Sequence, residues 1–248
     1  MTDETSGATG ESADDEVLPK WGTAELTLRF PPFPEPGALS DPYFAPHDPV
    51  RARAVVEALG TVAEVLEELP DRPEVGDVSS TAVRADLELV AVGCWGNVVH
   101  VLDPALVGDL LADPMDTEVL RQRQLHPEAR IAGSVEVDYG NSYLQDLVVL
   151  PGGEEMNVFG WDCDDDWDYV GDPEAVLRAL GIGREAAAAA EFDLDEEPRD
   201  RDWSALGTLA IWGVATGHHA VDRQVSVFRV RRTENAAFDL EEIWFGRS

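Results

Sequence analysis

The chain has 248 residues, 44% of them hydrophobic, and its 50 acidic and 18 basic residues give a net charge of −32. This length and apolar content allow a sizeable core and exclude a wholly disordered protein. A charge this negative repels phosphate backbones and anionic lipids, which argues against nucleic-acid and membrane partners. A basic protein partner, bound cations or plain solubility are the consequences left open.

The first residues, MTDETSGATGESADDE, contain neither a basic region nor an apolar stretch, so no secretory signal is predicted. The longest mainly apolar run, 203–215, is shorter than the ~20 residues that cross a bilayer. Two cysteines form no disulfide framework. These features predict a cytoplasmic protein with a disordered acidic tail over 1–19 and a single α+β domain over 20–248.

The first ordered elements follow from alternation and from helix-capping signals. Residues 23–30 alternate between apolar and polar side chains, which predicts a strand. Asp48-Pro49 is a helix start, with Asp as the cap and Pro at the first position. The pattern Thr61-Val-Ala-Glu64 resembles a capping box and predicts a second helix that ends at Pro70.

The densest apolar segment is 86–103, DLELVAVGCWGNVVHVLD, which is rich in β-branched residues. Trp95-Gly96-Asn97 interrupts it and predicts a tight turn between two neighbouring strands. Both faces of the first strand are apolar, so we expect the pair in the interior of the sheet. Asp103-Pro104 and Asp113-Pro114 then begin short helices.

The second half of the chain contains further hairpins and capped helices. We predict a three-stranded meander, short helices, and a longer helix capped by Asp202, followed by a closing hairpin in which Arg229 and Arg231 face Glu241 or Glu242. The predicted meander strands are 131–139, 143–150 and 155–161; the short helices are 173–180 and 183–192; the longer helix is 202–215; and the closing strands are 221–232 and 238–245. Hairpins with helices between them predict the α+β class, with a mainly antiparallel sheet and helices packed against it.

The acidic segment WDCDDDWD, 161–168, is the most distinctive local feature. Exposed tryptophan beside carboxylates suits a basic protein partner. The predicted partner-binding residues are Trp161, Asp164, Asp165, Asp166, Trp167 and Asp168. The structural alternative is a solvated acidic loop whose tryptophans fold back onto the core.

A divalent-cation site is a second interpretation of the same segment. Asp162, Asp164 and Asp166 alternate as the first ligands of an EF-hand loop do. The match then fails, because Trp167 replaces the turn glycine and Pro173 replaces the bidentate glutamate.

Other combinations of reactive residues lack the spacing that their chemistry requires. Cys94, His100, Cys163 and His218-His219 would be scattered zinc ligands, and core packing is the default for a strand cysteine or histidine. The sequence has no nucleophile elbow, dinucleotide fingerprint or phosphate loop. A binding protein without a cofactor is therefore favoured over an enzyme, and the sequence does not predict the oligomeric state.

Several longer phrases resemble a family of uncharacterised cytosolic proteins from high-GC bacteria, a domain of unknown function. These are ADLELVAVGCWGNVV with DPALV, RIAGSVEVDYG, VVLPGG, GDPEAVLRALGI, DLDEEP and VSVFRVRRTE. In size, acidity and α+β build the chain is also similar to bacterial immunity proteins. The leading hypothesis is an acidic binding protein of immunity type that engages a basic partner. The alternative is a metal-dependent enzyme or cation-binding protein that uses 162–168.

Overall fold

A computed structural model describes residues 13–35, 45–78, 81–108, 113–138, 140–164, 167–214 and 223–246. In these ranges the strands are β1 (Trp21–Arg29), β2 (Val62–Glu68), β3 (Leu89–Trp95), β4 (Val98–Leu102), β5 (Arg130–Asp138), β6 (Ser142–Val149), β7 (Glu155–Trp161), β8 (Asp168–Gly171) and β9 (Ser226–Arg232). The helices are α1 (Pro49–Ala58), α2 (Pro114–Leu125), α3 (Pro173–Leu180), α4 (Arg184–Ala188), α5 (Trp203–Trp212) and α6 (Glu234–Phe245).

The strands form one sheet in the order β2-β9-β3-β4-β1-β5-β6-β7-β8, and every neighbouring pair is antiparallel. This confirms the predicted α+β class with a mainly antiparallel sheet. The central hairpin is confirmed as β3 and β4, with Gly96 in the turn at a φ of 59° that favours glycine. The predicted meander is present as β5, β6 and β7, and β8 extends it by one edge strand.

Helices cover both faces of the sheet because the strands place apolar side chains on both. On one face, Leu26 of β1 and Val101 of β4 pack in a cluster with residues of α1, α2 and α6. We call this the α2 face. On the opposite face, Val148 of β6 and Met156 of β7 pack with α3, α4 and α5. We call this the α5 face.

The predicted helix over 61–70 is wrong, because these residues form strand β2. The hydroxyl of Thr61 does not cap a helix but donates to a carboxylate oxygen of Asp103 at 2.6 Å. Val62 and Val65 contact the core. Glu64 and Glu67 of β2 pair with arginines of β9, so partners distant in sequence determine its conformation.

The predicted closing hairpin is also wrong, because 234–245 is helix α6. The side chain of Thr233 accepts a hydrogen bond from the backbone N–H of Ala236 and caps this helix. The buried residues Ala236, Leu240, Ile243 and Trp244 recur at helical spacing. Arg229 and Arg231 therefore pair with β2 glutamates and not with α6.

The N-terminal tail was predicted to extend to residue 19. Residues 1–12 lie outside the described residues. Within 13–19, Val17 forms a β-bridge with Val83, and Leu18 is buried in the core on the α2 face. Apolar contacts therefore begin ahead of Trp21, at the only two large apolar residues of this stretch.

Candidate functional site

A cavity of about 1080 Å³ lies between the α5 face of the sheet, helix α5 and the segment 69–78. Its floor contains polar side chains, namely Thr23, Glu25, Thr27, His100, Ser134, Glu136 and Asp146. Trp212 and Arg223 contribute to its other wall. A concave space of this size, with a few polar groups and aromatic walls, is typical of a small-molecule site.

Strand alternation explains why polar side chains lie on the floor. In β1, Ala24, Leu26 and Leu28 face the α2 core, so Glu25 and Thr27 face the cavity. The register places Glu25 opposite Ser134 of β5 and Ser134 opposite Asp146 of β6. Because neighbouring strands are about 4.8 Å apart, these three side chains form a row about 10 Å long.

His100 of β4 lies at one end of this row. It is 8% exposed, and its Nδ1 lies 2.8 Å from Oγ1 of Thr27, the residue opposite it in the ladder. Its Nε2 is 3.8 Å from Oε2 of Glu25 and makes no hydrogen bond to any described residue. Burial lowers the pKa of His100, an effect that Glu25 opposes and Arg223 reinforces, so the imidazole is neutral.

Aromatic packing fixes the His100 ring. The indole of Trp95 is stacked on it, with ring centroids 6.2 Å apart and planes 29° apart. This indole lies across Gly93, where a Cβ atom would overlap it. Its Nε1 donates to the carbonyl of Gln224 at 3.1 Å, so the ring is held in place.

Arg223 closes the aromatic side of the cavity. Its guanidinium carbon lies 5.2 Å from the ring centroid of Trp95 and 4.4 Å from that of Trp212. Burial lowers the pKa of Arg223 to about 10, so it stays charged at neutral pH. Val75 N–H donates to the Arg223 carbonyl at 2.8 Å, which ties this wall to the segment 69–78.

The opposite side of the cavity is negatively charged. The pKa of Asp146 is raised to about 6, chiefly by burial and further by the carboxylates of Asp202, Glu136 and Glu25. A hydrogen bond from Ser134 lowers it in part. Among the described residues, no lysine or arginine forms an ion pair with Glu25, Glu136 or Asp146.

The hydroxyl of Thr27 contacts the imidazole of His100, which in turn lies near the carboxylate of Glu25. The same order of groups is found in nucleophilic sites. Here, however, Thr27 lies inside the ladder, where its strand pairs with β4 on one side and β5 on the other. The neighbouring backbone N–H groups are therefore used by the sheet and do not form an oxyanion hole. The arrangement is suited to binding.

The structure places the predicted partner-binding tryptophans against the protein body. Trp161 ends β7 and packs edge-on against Tyr143, with ring centroids 5.3 Å apart. Trp167 lies over Gly160 and donates from Nε1 to the Trp161 carbonyl at 3.1 Å. Both indoles are half-buried, as the structural alternative expects.

The aspartates of this segment are exposed where they are described. Asp162, Asp164 and Asp168 are exposed, and the predicted Asp165 and Asp166 lie outside the described residues. Within the described ranges, no three His, Cys, Asp or Glu side chains are grouped as a metal site requires. Since Asp166 is not among them, the metal site at Asp162, Asp164 and Asp166 stays a prediction.

The scattered cysteines and histidines do not form one site. Cys94 packs in the core on the α2 face, whereas His100 lines the cavity on the α5 face. Cys163 is exposed at the end of β7, and His218-His219 lie outside the described residues. His100 is buried, as expected for a strand histidine, but it borders a cavity that sequence reasoning did not predict.

These features define an α+β protein with a ligand-sized cavity on one face of an antiparallel sheet. Within the described residues, no helix combines the length and apolar character that crossing a bilayer requires. A model described as "Family of unknown function (DUF6333)" matches residues 8–247, and the chain belongs to this family. This confirms the resemblance to a family of unknown function, while the high-GC bacterial source stays a prediction. No curated protein and no solved structure matches the chain.

Proposed function

We propose that this protein binds a small organic molecule in the cavity beneath α5, whose lining includes His100. The observation that carries this proposal is the cavity of about 1080 Å³ itself, whose lining brings the polar side chains of His100, Ser134 and Asp146 together with apolar and aromatic ones. A few polar groups in such a cavity fix the orientation of a ligand, while the apolar lining buries the rest of its surface.

The surroundings of His100 support binding through a preformed site. Thr27 contacts Nδ1 of His100, and Trp95 is stacked on one face of its ring, so the imidazole is held in position. A ring held on two sides loses little freedom when it binds, which favours affinity.

Ligand-observed NMR with a defined mixture of amino acids, amines, sugars and nucleosides would test this proposal. We expect saturation transfer to at least one compound, and loss of that signal in His100→Phe, which keeps an aromatic ring in the cavity lining but removes both polar ring nitrogens. The matched control is His126→Phe, since His126 contacts Phe30 away from the cavity lining. If no compound binds, or if the signal persists in His100→Phe, the proposal is refuted.

A second proposed function is the capture of a basic protein partner, including a role of immunity type, by the acidic segment and β8. The supporting observation is that β8 is an edge strand on which Tyr169 and Val170 are 55% and 59% exposed. Exposed Asp168 is the first residue of this strand, and exposed Asp164 lies four residues before it. An edge strand offers backbone hydrogen bonds to an added strand, and the carboxylates would favour a basic one.

Affinity purification at low and moderate salt would test this second function. We expect a basic protein that is retained by the native chain and lost both at high salt and in the double variant Asp164→Asn with Asp168→Asn. The charge-matched control is Glu64→Gln with Glu67→Gln, on the opposite edge strand β2. Retention that is independent of salt and of the double variant would refute electrostatic capture.

The alternative of a divalent-cation site rests on the spacing of Asp162, Asp164 and Asp166. Calcium, magnesium or manganese should then raise the melting temperature by mass action, and Asp164→Asn should abolish the rise. The absence of a shift at millimolar metal would refute this alternative.

A further inference from the structure

We infer that His47 is a pH-sensitive latch: its neutral ring fastens residues 47–48 to the end of β3, and its protonation releases them. The latch is independent of the proposed small-molecule function, because His47 lies at the junction of β3 and β9 and is not part of the cavity lining.

The residues that precede α1 continue the pairing of β3 where β9 stops. β9 pairs with β3 only from Ser226 onwards. Beyond that point His47 forms a β-bridge with Trp95, and the backbone N–H of Asp48 donates to the carbonyl of Cys94 at 2.9 Å. The backbone N–H of Cys94 donates to Nδ1 of the His47 ring at 3.2 Å and not to a carbonyl. The imidazole therefore supplies an acceptor that the sheet requires at this position.

The partners of the ring determine which nitrogen carries its proton. A backbone N–H can only donate, so Nδ1 of His47 must present a lone pair, and the proton of the neutral ring is on Nε2. Nε2–H then donates to Oγ of Ser226 at 3.0 Å, and this hydroxyl donates to Oε1 of Glu68 at 3.0 Å. Glu68 also accepts from Arg72 at 2.8 Å. Every donor in this chain has its acceptor only while Nδ1 is unprotonated.

A proton on Nδ1 would break this arrangement. Two N–H groups would then face each other, and the N–H of the buried Cys94 would lose its acceptor. The charged groups that face the ring are Arg72, Asp48 and Glu68. Burial lowers the pKa of His47, and Arg72 lowers it further, whereas the two carboxylates oppose this. The ring is therefore neutral at pH 7, and its protonation in the folded protein begins only below the ordinary histidine value of about 6.5.

Release of the latch would act on two neighbouring parts of the protein. Asp48 is the residue that caps α1, so the start of this helix would lose its attachment to β3. Trp95, the bridge partner of His47, lines the cavity. Acidification would therefore loosen both the start of α1 and one wall of the cavity.

Amide hydrogen exchange of the full chain, followed by NMR at pH 7.5 and pH 5.0, would test the latch. The measured quantity is the protection factor, the intrinsic exchange rate at each pH divided by the observed rate. We expect the protection of the Cys94 amide to fall about tenfold or more at pH 5.0, while that of Val135 in β5 is retained, which separates local release from global unfolding. In His47→Asn the side-chain oxygen offers Cys94 an acceptor that does not titrate, so its protection should stay the same at both pH values. The matched control His126→Asn should behave as the native protein, since His126 contacts Phe30 away from the latch.

The ring ¹⁵N chemical shifts of His47 in the native protein provide a second measurement that does not depend on a variant folding. We expect the Nε2–H form at pH 7.5 and protonation of Nδ1 only below about pH 6.5. A ring with its proton on Nδ1 at pH 7.5 would overturn the inference. Equal protection of the native Cys94 amide at both pH values, or the same loss of protection in His47→Asn, would overturn it as well.

Discussion

Replacing one partner of the buried ion pair between Asp103 and Arg232 should strongly destabilise the protein, and Asp103→Asn would test this. The pair is 2.7 Å long, and its side chains are 0% and 6% exposed. Asp103 also accepts hydrogen bonds from Thr61 at 2.6 Å and from the backbone N–H of Ala105 at 2.9 Å. One carboxylate thus joins the end of β4, the residue preceding β2 and the end of β9.

The expected loss of free energy of unfolding depends on which contacts the asparagine side chain retains in Asp103→Asn. Asparagine keeps an acceptor for Ala105, and the Thr61 hydroxyl can accept from its NH₂ group. Arg232 still donates to the carbonyls of Leu87 and Leu89, but its charge is then buried without a counter-charge. Breaking one side of a buried pair costs about 3–5 kcal/mol. Because these hydrogen bonds survive, we expect the free energy of unfolding to fall by about 3 kcal/mol, the lower end of this range.

The neighbouring exposed pair provides a matched control. Glu64 and Arg231 also connect β2 to β9 at 2.6 Å, but they are 52% and 65% exposed. Glu64→Gln should therefore cost less than about 1 kcal/mol. Urea unfolding measures the stability of both variants. In Asp103→Asn we expect a lower midpoint and an unchanged m-value. If the free energy of unfolding fell equally in the two variants, the claim that burial determines the cost of breaking an ion pair would be refuted.

Three further predictions concern packing and titration. The pKa of Asp116 is raised to about 7 by burial and a neighbouring carboxylate. Between the ordinary aspartate pKa and pH 7 the folded state therefore keeps a proton that the unfolded state has lost. The free energy of unfolding falls as the pH rises through this range. Asp116→Asn should therefore be more stable than the native protein at pH 8, by about 1–2 kcal/mol, with a smaller difference at pH 5 in urea unfolding. Gly93→Ala should displace the Trp95 indole, cost about 1–3 kcal/mol and change tryptophan fluorescence, whereas Gly76→Ala, where nothing lies within 4 Å of the added Cβ, should do neither. Iodoacetamide should modify only Cys163 in the native protein and both cysteines after unfolding, and mass spectrometry would count the adducts.

The parts of the fold that were predicted correctly depend on local signals. Asp48, Asp113 and Asp202 cap helices through their own side chains, and each of these signals is complete within four residues. The turn at Gly96 and the meander also join strands that are adjacent in sequence. Such features need no knowledge of distant parts of the chain.

The errors occurred where a distant partner determines the conformation. The segment VAEVLEE of β2 has glutamates that suit a helix, but its pairing with Arg229 and Arg231 of β9 makes it a strand. Conversely, 238–245 contains apolar residues that suit a strand, and the cap at Thr233 together with the buried helical stripe makes it a helix. Propensity alone does not decide segments of this length.

The cavity could not be predicted because it depends on the order of the strands. Sequence alternation places Glu25 and Ser134 on the faces of their strands opposite to the large apolar residues, whereas Asp146 shares its face with Leu144 and Val148. It does not show that β1 lies between β4 and β5, the order that brings these three side chains and His100 together. The polar positions of β1 and β5 were the available signal, and it becomes informative only once those strands are known to be neighbours.

The distinction between surface and cavity carboxylates moves the functional hypothesis from the acidic segment to the α5 face. The many exposed acidic residues are solvated, so each interacts weakly with a cation and adds mainly to the overall field. Asp146 in the cavity lies in a less polar environment, as its raised pKa indicates, and its interactions with polar or charged groups there are stronger than at the surface.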